Sequence, residues 1–141
     1  MYTGGLIAPQ FLNMGDKAMT IIEAINKLDN LKPNGYTQSD KIGWLSILDG
    51  SIKRSVIDTH EGGESVSFNG YTEETPLDTE LIAYAPYDEM YVSWLQSKVD
   101  YYNGEYAKYN NSITRYNDAF SAYVNDYNRT HMPKGESIRY Y

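Results

Sequence analysis

The sequence predicts a mainly α-helical fold: a small helical domain with a long C-terminal helix and a short β-hairpin excursion. Apolar residues recur every three or four positions through most of the chain, as on the buried face of an amphipathic helix. Only residues 64–85 show the alternating pattern of strands. The 141 residues fit one domain. We place it at 19–141, after an N-terminal extension, 1–18, that we expect to be flexible.

Capping residues and apolar spacing mark the first two helices. Thr20 and Glu23 form a capping box, and the isoleucines and leucine that follow at helical spacing predict a helix over 20–31. Ser39 and Asp40 can cap a second helix. Its apolar residues also lie three or four apart, and it should end near His60, before a pair of glycines.

The β excursion is predicted between the second and third helices, at about 64–85. Val66 and Phe68 alternate with serines, and the run 81–84, LIAY, has the composition of another short strand. An Asn-Gly pair between them is a strong hairpin-turn signal. The tip of this hairpin is a candidate docking loop, made of Phe68, Asn69, Gly70 and Tyr71.

A long third helix is predicted after Pro86, which suits a first helical turn. From Val92 to Tyr127 the apolar positions alternate strictly between steps of three and four, which is a heptad pattern. The unbroken phase favours one continuous helix, although Gly104 costs about 1 kcal/mol relative to alanine. A break or hairpin at Gly104 is the alternative.

Aromatic residues dominate the second part of this helix. They form an apolar seam in which tyrosine stands where leucine or isoleucine is usual, and a buried tyrosine hydroxyl needs a hydrogen-bond partner. The seam either packs on the first two helices or forms a subunit contact, because aromatics are enriched at interfaces. Its residues are Tyr106, Tyr109, Ile113, Tyr116, Phe120, Tyr123 and Tyr127.

Composition argues against several function classes. A net charge of −7 disfavours sequence-specific nucleic-acid binding, which relies on clustered Lys and Arg. The absence of cysteine excludes disulfides and thiolate metal sites. No apolar run approaches the roughly 20 residues of a membrane span. We therefore predict a soluble protein with no membrane partner, no cofactor and no metal.

The histidines do not indicate catalysis. His60 and His131 have no metal-ligand spacing, and no nucleophile or phosphate-binding motif is present. His60 lies near Asp58 and Glu61, so a small hydrolase is one hypothesis. Because a histidine at a helix C-terminus interacts well with the last carbonyls, the simpler interpretation is a polar helix end. We predict that the protein is not an enzyme.

Three stretches carry a family resemblance: APYDEMYVSWLQSKVDYYNGEYAKYNNS at 85–112, DTHEGGESVSFNGY at 58–71 and YNRTHMPKG at 127–135. They resemble head-tail connector, or adaptor, proteins of tailed bacteriophages and of prophages in Gram-positive bacteria. The resemblance implies a structural virion protein made in the bacterial host cytoplasm. It also implies a homo-oligomeric ring in the virion neck, with a portal protein and a tail-side neck protein as partners.

A second hypothesis is a non-catalytic binding module that uses its clustered tyrosines to bind a glycan or a peptide. Tyrosine combines an apolar ring with a polar tip, which suits stacking on sugars. The two hypotheses differ in the arrangement they require. Ligand-stacking rings should line a concave exposed site, whereas an assembly contact can form along a helix.

Overall fold

The computed structural model describes residues 18–135, which form four α-helices. These are α1 (Ile21–Leu31), α2 (Gln38–Ile52), α3 (Glu89–Tyr102) and α4 (Tyr106–Thr130). The predicted mainly α-helical class with a long C-terminal helix is confirmed. The predicted extension lies outside the described residues except for Ala18, which is buried.

Capping boxes begin both N-terminal helices. At α1, Thr20 Oγ1 accepts a hydrogen bond from the Glu23 backbone N–H, and the Glu23 carboxylate accepts one from the Thr20 N–H, as predicted. At α2 the cap is Thr37, paired with Asp40, two residues before the predicted Ser39. A π-helical turn, Lys53–Ile57, continues α2 towards His60.

The prediction of one continuous helix from Val92 to Tyr127 is wrong, because the chain reverses at Gly104. That glycine has a φ of +76°, in the left-handed region. The Gly104 N–H donates to the Tyr101 carbonyl at 3.0 Å, and the Glu105 N–H donates to the Asp100 carbonyl at 2.9 Å. These two hydrogen bonds make a Schellman motif, which satisfies the last carbonyls of α3.

Helix α4 then folds back along α3 to form an antiparallel hairpin. The Tyr101 and Tyr109 ring centroids lie 5.6 Å apart near the turn, and those of Trp94 and Tyr116 lie 5.1 Å apart further along. Each helix turns its apolar positions towards the other. The heptad phase continued through the turn for this reason, and periodicity alone cannot distinguish one rod from two helices that face each other.

A buried ion network holds the closed end of this hairpin against α1. Lys32 Nζ lies 2.5 Å from Asp100 Oδ1 and 2.6 Å from Glu105 Oε1. Asp100 is 1% exposed, and its Oδ2 accepts a hydrogen bond from Ser112 Oγ at 2.8 Å. The hydrogen bond to Asp100 raises the pKa of Lys32 the most, and the hydrogen bond to Glu105 raises it further. The network therefore ties the end of α1 to both arms of the hairpin.

The predicted β-hairpin is not formed. The N–H of Ile82 donates to Asp49 Oδ2 at 3.0 Å, and the N–H of Ala83 donates to Tyr91 Oη at 2.7 Å. Helix side chains thus satisfy backbone donors that a strand would offer to a neighbouring strand. The β pairing within residues 18–135 consists of two isolated bridges, Thr20–Glu80 and His60–Pro133.

Helix α3 begins at Glu89, three residues later than the predicted start at Pro86. Pro86 follows a cis peptide bond and stays outside the helix. Asp88 precedes the helix, and its Oδ2 accepts a hydrogen bond from the Met19 N–H at 3.1 Å. The segment that enters α1 is therefore joined to the segment that enters α3.

The core lies between α1, α2, α3 and the C-terminal half of α4. Apolar side chains from the first three helices fill most of it, and two tyrosines of α4, Tyr123 and Tyr127, complete it. The N-terminal half of α4 contributes little to this core. The fully buried aliphatic residues of the core include Ile21, Leu28, Leu45, Ile52, Leu95 and Val99.

Candidate functional site

Six aromatic rings meet at the closed end of the α3–α4 hairpin, and we call this surface the aromatic tip. Trp44 of α2 stacks on Tyr102 with ring centroids 5.8 Å apart and planes inclined by 9°. Tyr101 packs edge-on against Tyr102 at 5.3 Å. The rings of the aromatic tip are Tyr36, Trp44, Tyr101, Tyr102, Tyr106 and Tyr109.

Three rings of the aromatic tip are largely exposed. The exposed fractions are 51% for Tyr101, 57% for Tyr102 and 62% for Tyr106. The half-buried Tyr36 supports them from the α1–α2 connection, where its hydroxyl donates to Asn103 Oδ1 at 2.8 Å. The surface is thus apolar, exposed and held in place by contacts with two neighbouring segments.

The residues of the predicted tyrosine seam have different environments along α4. Tyr123 and Tyr127 are buried, and Tyr106 is exposed in the aromatic tip. The others, half-buried along the hairpin, are Tyr109, Ile113, Tyr116 and Phe120. Most of the seam therefore packs within the chain, and its main helical neighbour is α3 instead of the first two helices.

The predicted docking loop lies against α2. The Phe68 ring packs edge-on against Tyr71 at 5.0 Å, and the Tyr71 hydroxyl donates to Asp49 Oδ2 at 2.5 Å. Gly70 has a φ of +92°, and Asn69 is the exposed member of the loop. Two of its three side chains, those of Phe68 and Tyr71, are thus used within the fold, and a docking role for this loop remains a prediction.

A buried carboxylate, which sequence reasoning missed, holds this loop to the helices. Asp49 is 0% exposed and accepts hydrogen bonds from the hydroxyls of Tyr71 and Tyr91 and from the Ile82 N–H. Burial raises the pKa of Asp49 to about 6, and these hydrogen bonds limit the rise. The available signal was an acid within the apolar stripe of α2, between Leu45 and Ile52.

His60 is also used within the fold. Its Nδ1 lies 2.6 Å from the Val56 carbonyl, and its Nε2 lies 2.7 Å from Asn128 Oδ1. Asp58 is paired instead with Lys53. Within residues 18–135, no hydrogen bond joins His60 to Asp58 or Glu61, the two acids of the hydrolase hypothesis. The geometry fits a histidine that joins the end of α2 to α4.

No family model matches the chain, and neither does any curated protein or solved structure. Its own geometry is what bears on function. Among the described residues, no three His, Cys, Asp or Glu side chains gather as ligands for a metal ion. No helix in that part of the chain is long and apolar enough to cross a bilayer.

Proposed function

We propose that this protein is a structural subunit that assembles with further copies of itself into a ring, as head-tail connector proteins of tailed bacteriophages do. In this proposal it lies in the virion neck and contacts a portal protein and a tail-side neck protein. It performs no chemistry.

The exposed aromatic tip is the observation that carries this proposal. Large aromatic side chains are costly to expose as a group, and clusters of them on a protein surface mark interaction sites. Tyr101, Tyr102 and Tyr106 share one end of the hairpin with most of the area of Tyr102 and Tyr106 in solvent. The resemblance of residues 85–112 to connector proteins covers this same surface.

The aromatic tip suits an assembly contact better than a glycan site. It lies at the turn of a helical hairpin, and three of its rings are more than half exposed. Sugar-binding aromatics usually line a concave site. Four cavities in the described part of the chain are lined by residues other than the six rings of the tip.

Light scattering over a wide concentration range, with and without purified portal protein, tests the proposal. We expect either closed rings in negative-stain images or binding of the protein to the portal. Changing Tyr102 and Tyr106 together to serine should weaken the association by at least about tenfold, because central aromatic side chains dominate interface energies. A protein that stays monomeric at every concentration and never binds portal would refute the proposal.

The matched control is Met132→Ser. Met132 is 64% exposed and follows the other end of α4. Its substitution also removes an exposed apolar side chain but should leave association unchanged. Circular dichroism should report the same helix content for all variants, because exposed side chains contribute little to folding stability. Equal weakening by Met132→Ser would mean that the aromatic tip has no special part in association.

A further inference from the structure

A cationic groove lies beside the aromatic tip, between the end of α1 and the two arms of the hairpin. It has a volume of about 300 Å³, and Lys32, Lys108 and Arg115 all line it. This gathering of cations contrasts with the net charge of −7 of the whole chain. Two of these cations already have carboxylate partners within residues 18–135: Lys32 pairs with Asp100 and Glu105, and Lys108 Nζ lies 3.3 Å from Glu105 Oε2 at the surface. Three cations thus share two carboxylates, and Arg115 is left to pair with a further acid.

Donors from α4 point along one side of this groove. Lys108, Asn111 and Arg115 follow one another at helical spacings of three and four, so they share one face. Arg115 donates to the neutral Gln96 Oε1 at 3.1 Å. Within residues 18–135 it forms no ion pair with a carboxylate. An ammonium, an amide and a guanidinium in a row suit the carboxylates of an acidic peptide segment.

The chain carries such a segment at residues 72–80. Its acidic side chains are exposed and, within the described residues, make no hydrogen bond or ion pair. A short turn presents two of them: the Thr75 N–H donates to the Thr72 carbonyl at 3.0 Å, and the Thr72 N–H donates to Thr75 Oγ1 at 2.8 Å. The acids are Glu73, Glu74, Asp78 and Glu80.

The acidic segment and the groove lie at opposite ends of α1. The segment accepts hydrogen bonds from the first turn, where the Ile21 N–H donates to the Thr79 carbonyl and the Ile22 N–H to the Leu77 carbonyl. Lys32 follows the last residue of α1. An 11-residue helix is about 16 Å long. The two features of one chain are therefore too far apart to pair with each other.

We propose that the cationic groove binds the acidic turn of a second copy of this chain, with Glu73 and Glu74 pairing with Lys108 and Arg115. The contact joins two different surfaces, so it repeats from copy to copy. Heterologous contacts of this type generate closed rings when the rotation between copies closes. This inference rests on the proposed self-assembly and names the surfaces that would carry it.

A peptide experiment tests the groove without requiring assembly. The probe is a fluorescent peptide of residues 70–81, and its anisotropy is measured with the full-length protein. We expect saturable binding that Lys108→Glu/Arg115→Glu weakens by at least about tenfold, because charge reversal turns each attraction into a repulsion. A peptide with Glu73→Gln and Glu74→Gln should bind equally poorly. No saturable binding to the unchanged protein would overturn the proposal.

The matched control protein is Lys27→Glu/Arg54→Glu. Both side chains are exposed and lie outside the groove, and the change in net charge is the same. This control should bind the peptide within about twofold of the unchanged protein, because screening weakens distant surface charges. A loss as large as that of the groove variant would show a general charge effect and would overturn the proposal.

Assembly of the full chain provides the second test. Glu73→Lys/Glu74→Lys should prevent association with itself, and so should Lys108→Glu/Arg115→Glu, whereas a mixture of the two variants should assemble with the variants alternating, because the segment of each is complementary to the groove of the other. If the unchanged protein assembles and both reversals leave assembly intact, the groove proposal fails while the proposed function stands. If the peptide binds but no copies or portal ever associate, the proposed function and the contact between copies fail, while the affinity of the groove for the acidic segment stands.

Discussion

The two ends of the α3–α4 hairpin use tyrosine in opposite ways. At the closed end, Tyr102 and Tyr106 are more than half exposed, and their ring contacts within residues 18–135 are with other rings of the aromatic tip. At the open end, Tyr91 and Tyr123 are completely buried. The segment between α2 and α3 packs on the tyrosines of the open end: the Ala83 N–H donates to Tyr91 Oη, and the Tyr84 and Tyr123 ring centroids lie 5.3 Å apart.

Substitutions at the two ends should therefore affect different properties, namely the stability of the fold at the open end and association with other molecules at the closed end. The open end holds the buried Asp49 with the hydroxyls of Tyr71 and Tyr91, so substitutions there should change the free energy of unfolding. At the closed end, Lys32 pairs with the carboxylates of Asp100 and Glu105, and the tyrosine rings of the aromatic tip are largely exposed. Substitution of those rings should change contacts with other molecules and leave the fold intact.

The largest effect should follow from Asp49→Ala at the open end. Two tyrosine hydroxyls and the Ile82 N–H would lose their buried acceptor. Each unpaired buried donor costs about 1–3 kcal/mol, so we expect the free energy of unfolding to fall by roughly 3–5 kcal/mol. Urea denaturation followed by circular dichroism measures this change.

The control for this substitution is Asp118→Ala, on the exposed face of α4. Loss of that carboxylate should change the free energy of unfolding by less than about 0.5 kcal/mol, because surface substitutions away from special contacts have little effect. A similar cost at both positions would mean that the Asp49 hydrogen bonds do not support the open end.

A slightly smaller effect should appear as a pH dependence from the same residue. Burial raises the pKa of folded Asp49 to about 6 from its ordinary value of 3.8. Between these pH values the folded state binds the proton more strongly, so the free energy of unfolding should fall as pH rises. A difference of about two pKa units corresponds to about 3 kcal/mol. Above pH 6 both states are ionised and the contribution stays constant.

Unfolding curves at several pH values between 4 and 7 should be compared with those of Asp49→Asn, which cannot titrate at this position. The comparison is needed because other acids also titrate: the hydrogen bond from Lys32 lowers the pKa of Glu105, which has the opposite effect on stability. The difference between the two proteins should decline as pH rises towards 6. A flat difference would contradict the raised pKa of Asp49.

The smallest effects should come from removing single tyrosine hydroxyls at the two ends. Tyr91→Phe removes a donor to Asp49 and the acceptor of the Ala83 N–H, so it should cost about 2 kcal/mol. Among residues 18–135 the buried Tyr123 hydroxyl has no hydrogen-bond partner, so Tyr123→Phe should stabilise the fold by about 1 kcal/mol. Tyr106→Phe, at the exposed end, should change it by less than about 0.5 kcal/mol.

Thermal and urea unfolding of the three variants measure the sign and the size of each change in the free energy of unfolding. All three make the same chemical change, the loss of one phenol oxygen, so their differences report the environment of each hydroxyl. Destabilisation by Tyr123→Phe comparable to that by Tyr91→Phe would show that the Tyr123 hydroxyl has a partner in solution. The distinction between the two buried hydroxyls would then be lost.

Local sequence patterns predicted the first two helices and the apolar faces of the others, but not the reversal at Gly104 or the segment between α2 and α3. The capping box of Thr20 and Glu23 and the spacing of the apolar residues depend on neighbours within one or two helical turns. The predicted strands near Phe68 and Ile82 failed because distant helix residues supplied the hydrogen bonds. Asp49, 33 positions before Ile82, could not be connected to that backbone from spacing alone.

The candidate site was also predicted only in part from the sequence. Sequence reasoning identified the aromatic residues of α4, including Tyr106 and Tyr109, as an unusual surface. It did not find that Tyr36 and Trp44 join them, because those rings come from another helix and its preceding connection. The cationic groove was also missed, since Lys32 lies far along the chain from its neighbours.

By itself the sequence determined the fold class, the start of α1 and the apolar faces that the helices bury. Tertiary structure decided at which residue the long apolar pattern is interrupted by a turn and which tyrosines remain exposed. The physical reason lies in the range of the interactions. Helix caps and periodicity involve residues a few positions apart, whereas the reversal at Gly104 is held by Lys32, whose partner Asp100 lies 68 positions further along the chain.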